Sequence, residues 1–402
     1  MKITDVKTHL VQVGARPGGA ALLGENADFR GSRNWLFVEI ETDEGITGIG
    51  EGSGWPRVIE TAVHDLKRIL IGQDPAHVDR LWGHLYRATI GHGLVGTVGS
   101  GALTALEMAL WDIKGRALGV PVWQLLGGAI RETIPVYGHA KTPERARELI
   151  ALGYDAIKVS FTGNVDLDLV GTMRDAVGPD IDLCVDAHGP SWMSAQDAIL
   201  VGRELEQFDL LFYEDPVPPE NLDMLARVRD AVSVPLAAGE RVGTIHGSRP
   251  YIERDLVDVI QTDTGRGGGI TQMRKIAAMA ESHGIMFAPH SGSLGPVAEF
   301  AALHVMATIP NGLILERMEF DWPGRYDVVA PVLQVRDGAI ALPTAPGLGV
   351  ELVHDEIGKY PSIRNVPDAP VDDGHSCLQG TSDEGLLIQT RRARARTLRR
   401  TP

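Results

Sequence analysis

The chain has only two cysteines in 402 residues, Cys184 and Cys377, and their separation suits neither a disulfide framework nor a thiolate metal centre. Zinc held by sulfur is excluded on that count, and a reducing compartment, the cytoplasm, is the expected setting. No apolar run approaches the ~18 residues of a membrane span, so no membrane partner is expected. The opening MKITDVKTHLVQV alternates polar and apolar residues where a secretory signal needs a continuous apolar stretch. Positive charge is scarce as well. With 38 Lys and Arg against 53 Asp and Glu, the net charge is −15, which argues against nucleic acid as the main partner. Residues 391–402, RRARARTLRRTP, hold six Arg and no acid, so the first 390 residues carry −21. That terminus has no apolar face to bury, and residues 371–402 are expected to form a disordered basic tail after a domain ending near Pro370.

What remains is globular in composition, 44% hydrophobic and 23% charged, and longer than the ~150 residues of a typical domain. Residues 1–128 read as an α+β unit. Strand patterns at 2–13, 35–42 and 46–51 lead into helix patterns at 57–71, 75–90 and 99–118. In the last of these, Leu103, Leu106, Leu110, Ile113 and Ala117 fall on one helix face. After Gly127-Gly128 the rhythm changes. Strand-like runs at 134–140, 155–161, 182–189, 210–216, 234–240, 258–265, 285–291 and 312–319 alternate with seven helix-length segments. Strand, helix, parallel strand, repeated with short turns, is the sequence form of a closed barrel over 129–319, here without an eighth helix. The expected fold is therefore α/β: a modified TIM barrel, (β/α)7β, with an α+β N-terminal capping domain that the segment 320–370 returns to complete. An open doubly wound sheet would need an early phosphate-binding turn, and TGRGGGI (264–270) neither matches G-x-G-x-x-G nor lies early.

Active sites of such barrels sit at the carboxyl ends of the strands. Here Lys158, Asp186, Glu214, Glu240, Asp263, His290 and Glu316 follow one another at steps of 28, 28, 26, 23, 27 and 26 residues, about one βα unit each. Each alone would pass for a loop acceptor or a helix cap. In phase, they put seven ionisable groups at one mouth, which is costly without a compensating ion. Asp186, Glu214 and Glu240 are oxygen donors from three adjacent strands, a set that suits a hard divalent cation, Mg²⁺ before Mn²⁺. His290 and Lys158 stand on opposite sides of that trio as proton movers, and Asp263 is placed to hold the His290 imidazole in one tautomer. Side chains two apart share a strand face, which adds His188 beside Asp186 and Ser160 beside Lys158. A carboxylate substrate chelating the metal would have its α-proton made removable, because the cation stabilises the enediolate that forms.

These residues resemble the enolase superfamily, mandelate racemase subgroup, over roughly residues 1–370. The motifs that carry the resemblance are ALWDIKGRALGVPVWQLLGG (109–128), the Lys158 strand, VDAHG, YEDPVPPENLD, PLAAGER, IQTD with GGGIT, APHS and LERMEF, in the family's order. The chain is most similar to acid-sugar dehydratases of the galactonate dehydratase type, which share Asp-x-His on the third strand and AAGER on the fifth. The resemblance implies Asp186, Glu214 and Glu240 as Mg²⁺ ligands, His290 with Asp263 as general base, His188 as the acid for the leaving hydroxide, and Glu316 as a hydrogen-bond partner of the enediolate. Many racemases of the subgroup carry Lys-x-Lys on the second strand, whereas this chain has Lys158-Val159-Ser160. Without the second lysine, two-faced proton transfer is harder to build, and Lys158 is expected to polarise the carboxylate. The expected activity is Mg²⁺-dependent dehydration of a sugar acid, an aldonate such as galactonate or an aldarate, to a 2-keto-3-deoxy acid. The alternative is a racemase, epimerase or lactone cycloisomerase using the same enediolate. A small-molecule carboxylate substrate and a homo-oligomer are the expected partners. Substrate contacts are expected from Ser160, from His139 on the first barrel strand, from Trp55 in the loop 52–56, and from Arg16, Arg30 and Arg33 in the loop 14–33. The three arginines either pair with the distal carboxylate of a diacid or are solvated loop charges, and a monocarboxylate is the expected substrate.

Overall fold

The computed structural model describes residues 1–13, 33–93, 96–161, 165–189, 192–292, 294–319 and 324–362. The N-terminal part is an antiparallel meander, β1 (Ile3–Val13), β2 (Arg33–Thr42) and β3 (Thr47–Gly52), followed by α1 (Pro56–Leu70), α2 (Val78–Gly91) and α3 (Thr97–Leu118). Pro56 starts α1, where a missing N–H costs nothing, and Ile59, Val63, Leu66 and Leu70 form its buried stripe. The sheet rests on α3 so closely that a Cβ at Gly48 or Gly50 would run into the carbonyl oxygens of Ala109 and Ala105. Leu103, Leu106, Leu110 and Ile113 are buried as their spacing predicts, but so are Ala102, Ala105 and Met108, because α3 is covered by β3, α1, α2 and a barrel helix. Ala117 is exposed, with Leu118, in the last turn of the helix.

After the single turn α4 (Val122–Leu125), eight parallel strands form the barrel: β4 (Thr133–His139), β5 (Ala156–Ser160), β6 (Asp182–Asp186), β7 (Phe212–Glu214), β8 (Leu236–Ala238), β9 (Val259–Ile260), β10 (Met286–Phe287) and β11 (Leu315–Glu316). Seven helices connect them: α5 (Pro143–Ala151), α6 (Leu167–Val177), α7 (Ala195–Leu205), α8 (Leu222–Arg229), α9 (Thr244–Glu253), α10 (Ile270–Ser282) and α11 (Pro296–Met306). Neighbours pair in sequence order from β4 to β10, β11 pairs with β4, and a bridge between Phe287 and Gly312 closes the ring. Several paired stretches are shorter than their sequence patterns. Beyond β9 and β10, for instance, pairing continues only as the single bridge between Asp263 and His290. Among the described residues no helix is long and apolar enough to cross a membrane.

The barrel interior is one small layer: Tyr137, Ala156, Cys184, Phe212, Ala237, Val259, Ala288 and Ile314, one from each strand or its edge. Period two then does the rest. Two residues further along most strands, the same inward face carries His139, Lys158, Asp186, Glu214, Gln261, His290 and Glu316. An apolar plug therefore supports a polar floor.

The C-terminal return divides its contacts. The hairpin of β13 (Val335–Arg336) and β14 (Ala339–Ala341) pairs antiparallel with the start of β4, at the amino-terminal end of the barrel, rather than with the cap. Around it, β12 (Val329–Ala330) pairs with β15 (Glu351–Leu352). After α12 (His354–Ile357), Pro361 bridges to Val11 on β1, and Leu348 N–H donates to Asp112 of α3 at 2.7 Å. Two cap carboxylates dock cap and barrel from the other side. Glu51 of β3 accepts the backbone N–H groups of Gly295 and Ala298 at the start of α11, and Glu107 of α3 accepts those of Ile270 and Thr271 at the start of α10. Both helices begin after a glycine that offers no side-chain cap, so the other domain supplies the acceptor.

Candidate active site

The structure brings Lys158, Asp186, Glu214, Glu240, Asp263, His290 and Glu316 together at the carboxyl ends of the strands, all at most 6% exposed. Lys158 lies at the centre, with Nζ 2.8 Å from Glu214, 3.0 Å from Glu316 and 3.4 Å from Asp186. Burial alone would lower its pKa, but Glu214 and Glu316 outweigh that and hold the ammonium well above the ordinary lysine value. An amine so held is a fixed positive charge and a poor base.

His290 donates or accepts through Nδ1 at 2.7 Å from Asp263, while its Nε2 rests on Glu240 and lies 3.6 Å from Glu316. Burial disfavours the imidazolium, yet Glu240 and Glu316 push its pKa up to about 10. His188 is the opposite case. Burial, helped by Arg241 and Lys158, lowers its pKa to about 4 despite Glu240. Its Nδ1 faces Arg241 at 3.2 Å, and a guanidinium only donates, so the neutral ring carries its proton on Nε2. The two imidazoles thus rest in opposite charge states, His290 charged and His188 neutral. A base at His290 and an acid at His188 require the reverse, and the reason for the difference is which ring Glu240 touches.

The ligand atoms that lie within 4.8 Å of one another are those of Glu214, Glu240 and His290. Asp186 stands just outside that group, its Oδ1 taken by the backbone N–H of His188 at 2.9 Å and its Oδ2 facing Lys158. Burial raises the pKa of Asp186, and burial with Asp186 raises that of Glu214 to about 6. Glu214 Oε1 is buried with no hydrogen-bond partner. Three buried carboxylates on adjacent strands, one with an orphaned oxygen and two resisting ionisation, fit a divalent cation with oxygen ligands.

Among the expected substrate contacts, His139 is at the mouth with Nε2 2.7 Å from Glu316, and Ser160 ends β5, paired with Asp186. Trp55 is half-exposed just before α1. Arg16 and Arg30, like the tail 371–402, lie outside the described residues, as does the side chain of Arg33, whose backbone opens β2.

Four further residues belong to the site. Gln261 occupies the in-phase position of β9 and donates to Glu214 at 2.9 Å; period two from Val259 points to it, as it does to the others. Arg241 reaches Glu240 at 2.6 Å and pairs with Asp215, and Arg266 lies 3.6 Å from Glu240 and 3.4 Å from Asp263. Ser53, from the cap, donates to Asp263 Oδ1 at 3.0 Å across 210 residues of sequence.

A strand-end ring of this composition under an α+β cap is the architecture of one superfamily. Residues 27–127 match the mandelate racemase / muconate lactonizing enzyme N-terminal domain and residues 141–356 the enolase C-terminal domain-like family, so the chain belongs to the enolase superfamily, mandelate racemase subgroup. It is 36% identical over 367 residues to the D-galactonate dehydratase of Xanthomonas oryzae pv. oryzae (strain PXO99A), covering 85% of this chain and 94% of that protein. To the D-galactonate dehydratase of Klebsiella pneumoniae (strain 342) it is 37% identical over 360 residues, 83% and 92% of the two chains. The crystal structure of the 3,6-anhydro-D-galactonate cycloisomerase from Zobellia galactanivorans superposes with a TM-score of 0.80 at 28% identity, over 90% of this chain and 99% of that one.

Proposed function

We propose that the protein is a Mg²⁺-dependent hydro-lyase of acid sugars, converting an aldonate of the galactonate type, or an aldarate, to a 2-keto-3-deoxy acid. The observation that carries this reading is the pair of imidazoles flanking one buried carboxylate trio, together with dehydratase relatives of nearly full-length coverage. Asp186, Glu214 and Glu240 would hold the cation. When bound, it would supply positive charge that stabilises the enediolate, and as one of its ligands Glu240 would be shared between the cation and His290.

Lys158, held as an ammonium by Glu214 and Glu316, polarises the substrate carboxylate. His290, oriented through Nδ1 by Asp263, takes the α-proton at Nε2. The electron pair passes into the carboxylate and returns to expel the β-hydroxide, which leaves as water with a proton from the imidazolium form of His188, so the ring, neutral in the free protein, first has to take up a proton. The enol so formed gains a proton at C3 and becomes the ketone. Glu316, fixed by His139 and by the N–H of Ser291, would hydrogen-bond the enediolate only as a donor from its protonated carboxyl, since a carboxylate only accepts. Ser160 in place of a second lysine leaves the opposite face of the α-carbon without a base, which favours elimination over racemisation. The low cysteine content supports a cytoplasmic setting, and the family resemblance supports a homo-oligomer.

Cycloisomerisation of a sugar lactone or anhydro sugar is the second reading, because it uses the same enediolate and one base, and a cycloisomerase shares the fold. Incubating the protein and Mg²⁺ with a library of acid sugars separates the two. A new 2-keto acid supports dehydration, an isomer of unchanged mass supports cycloisomerisation, and no turnover of any acid sugar refutes both.

A further inference from the structure

Away from the barrel mouth, the first strand pair and the C-terminal return assemble a second group of metal-ligating side chains. In the β1–β2 register Lys7 stands opposite Glu39 and His9 opposite Phe37, so His9 and Glu39 are diagonal neighbours on one sheet face. His9 Nε2 lies 2.6 Å from Glu39 Oε2. His354, the first residue of α12, comes back over the same face with Nε2 3.4 Å from Glu39 Oε1. The two rings are 5.3 Å apart and tilted by 59°, so both present a nitrogen to the carboxylate instead of stacking on each other. One ligand atom from each of the three residues lies within 4.8 Å of the other two. Lys7, the nearest lysine on that face, is taken up by Glu41 at 2.5 Å. The Glu39 carboxyl is partly buried, which raises its pKa, but His9 and then His354 outweigh this and hold it below the ordinary glutamate value.

We propose that His9, Glu39 and His354 form a Zn²⁺ site. Two imidazole nitrogens and one carboxylate are a zinc donor set, whereas Mg²⁺ takes oxygen and would stay with the barrel carboxylates. Tetrahedral zinc with bonds of ~2.0–2.1 Å sets its ligand atoms roughly 3.4 Å apart, and three protein ligands leave the fourth position to water. The two imidazoles approach different oxygens of Glu39, at 2.6 and 3.4 Å, so seating the ion requires the His9–Glu39 contact to open. The His354 side chain is 56% exposed and has room to follow. The ligands are drawn from both ends of the described chain. An ion there clips the C-terminal return to the first strand, next to the bridge between Val11 and Pro361 and the hydrogen bond from Ser362 N–H to Leu10 at 3.1 Å. Its effect is therefore on the closure of the fold rather than on the reaction.

The test is calorimetric titration of Zn²⁺ into the full-length protein saturated with Mg²⁺, alongside thermal unfolding. Wild type is expected to bind one Zn²⁺ that is weakened at least ~10-fold in His9→Ala and in His354→Ala, the scale on which even supporting contacts of a metal site matter. Zinc should raise the wild-type melting temperature and leave that of the variants unmoved, while turnover with Mg²⁺ stays the same in all three. His354 lies on an exposed single turn, so its replacement spares the fold, and Glu39→Gln serves as a second variant if His9→Ala does not fold. Identical isotherms for wild type and the variants would place any zinc elsewhere and overturn the proposal, as would the absence of zinc binding at millimolar concentration.

Discussion

Replacing Asp263 with Asn tests the proposed base at a single atom. Asp263 Oδ1 accepts Ser53 Oγ at 3.0 Å and Gly265 N–H at 2.9 Å, while Oδ2 faces His290 Nδ1 at 2.7 Å. In the isosteric amide the oxygen has to remain with those two donors, because the Gly265 N–H cannot turn to accept. Arg266, 3.4 Å from Oδ2, and the Nδ1–H of His290 while the ring is charged favour oxygen on the His290 side, but neither supplies the acceptor that the fixed Gly265 N–H needs. The amide NH₂ therefore points at His290, donates to Nδ1 and moves the ring proton to Nε2, the atom that has to accept. A positioned general base contributes ~10²–10⁴, and the corresponding tautomer error in a His–Asp couple costs ~10⁴. We expect kcat to fall by ~10²–10⁴, equivalent to about 3–5 kcal/mol in the barrier at 1.36 kcal/mol per tenfold. KM should change little, since Asp263 is fully buried. The assay is the initial rate of 2-keto acid formation at saturating substrate, with melting temperature as a control for folding. A loss of less than ~10-fold with an unaltered pH profile would mean that Asp263 does not set the state of His290.

Three further outcomes follow from the geometry. Glu214→Gln removes the orphaned charged oxygen, so Mg²⁺ affinity measured by calorimetry should weaken by at least ~10-fold with secondary structure intact; unchanged affinity would remove Glu214 from the metal set. In D₂O, His188→Asn should still exchange the substrate α-proton while forming little keto acid, and His290→Asn should do neither; exchange that survives loss of His290 but not of His188 would reverse the two roles. Glu51 and Glu107 are held with pKa values raised to about 7 from 4.5 by burial, so each contributes stability that is full below about pH 4.5 and lost as the pH rises to about 7, roughly 3 kcal/mol each. Glu107→Gln should accordingly flatten the dependence of melting temperature on pH between these limits, and parallel curves for variant and wild type would show that the buried carboxyl is not the linked group.

The barrel and its polar floor were legible because one arithmetic rule governs them. A step of 23–28 residues returns the chain to the same height on the next strand, and period two selects the inward face, which is why Lys158, Asp186, Glu214, Asp263, His290 and Glu316 could be assembled from spacing alone. The same rule applied once more would have found Gln261. What spacing cannot carry is lateral reach. Ser53 meets Asp263 from another domain, and Arg241 and Arg266 turn sideways from their loops to share Glu240. The hairpin 335–341 shows the same limit: its alternation marks a strand pair, but both the cap sheet and the start of β4 offer a free edge, and only tertiary packing decides between them. The opposite charge states of His188 and His290 were likewise hidden, since they depend on ångström differences in distance to one carboxylate.

The exchange of helix caps between domains bears on how new specificities are built in this protein. Grafting a foreign cap onto the barrel, to import its substrate loops, would also withdraw Glu51 and Glu107 from the amino termini of α11 and α10. The α11 terminus follows the loop that carries His290 and Ser291, so its backbone N–H groups would seek other acceptors beside the reacting groups. A productive chimera therefore has to carry two glutamates as fixed connectors, at the end of the third cap strand and in the middle of the long cap helix, whatever loops it brings. Whatever its loops, the cap is constrained at these two joints.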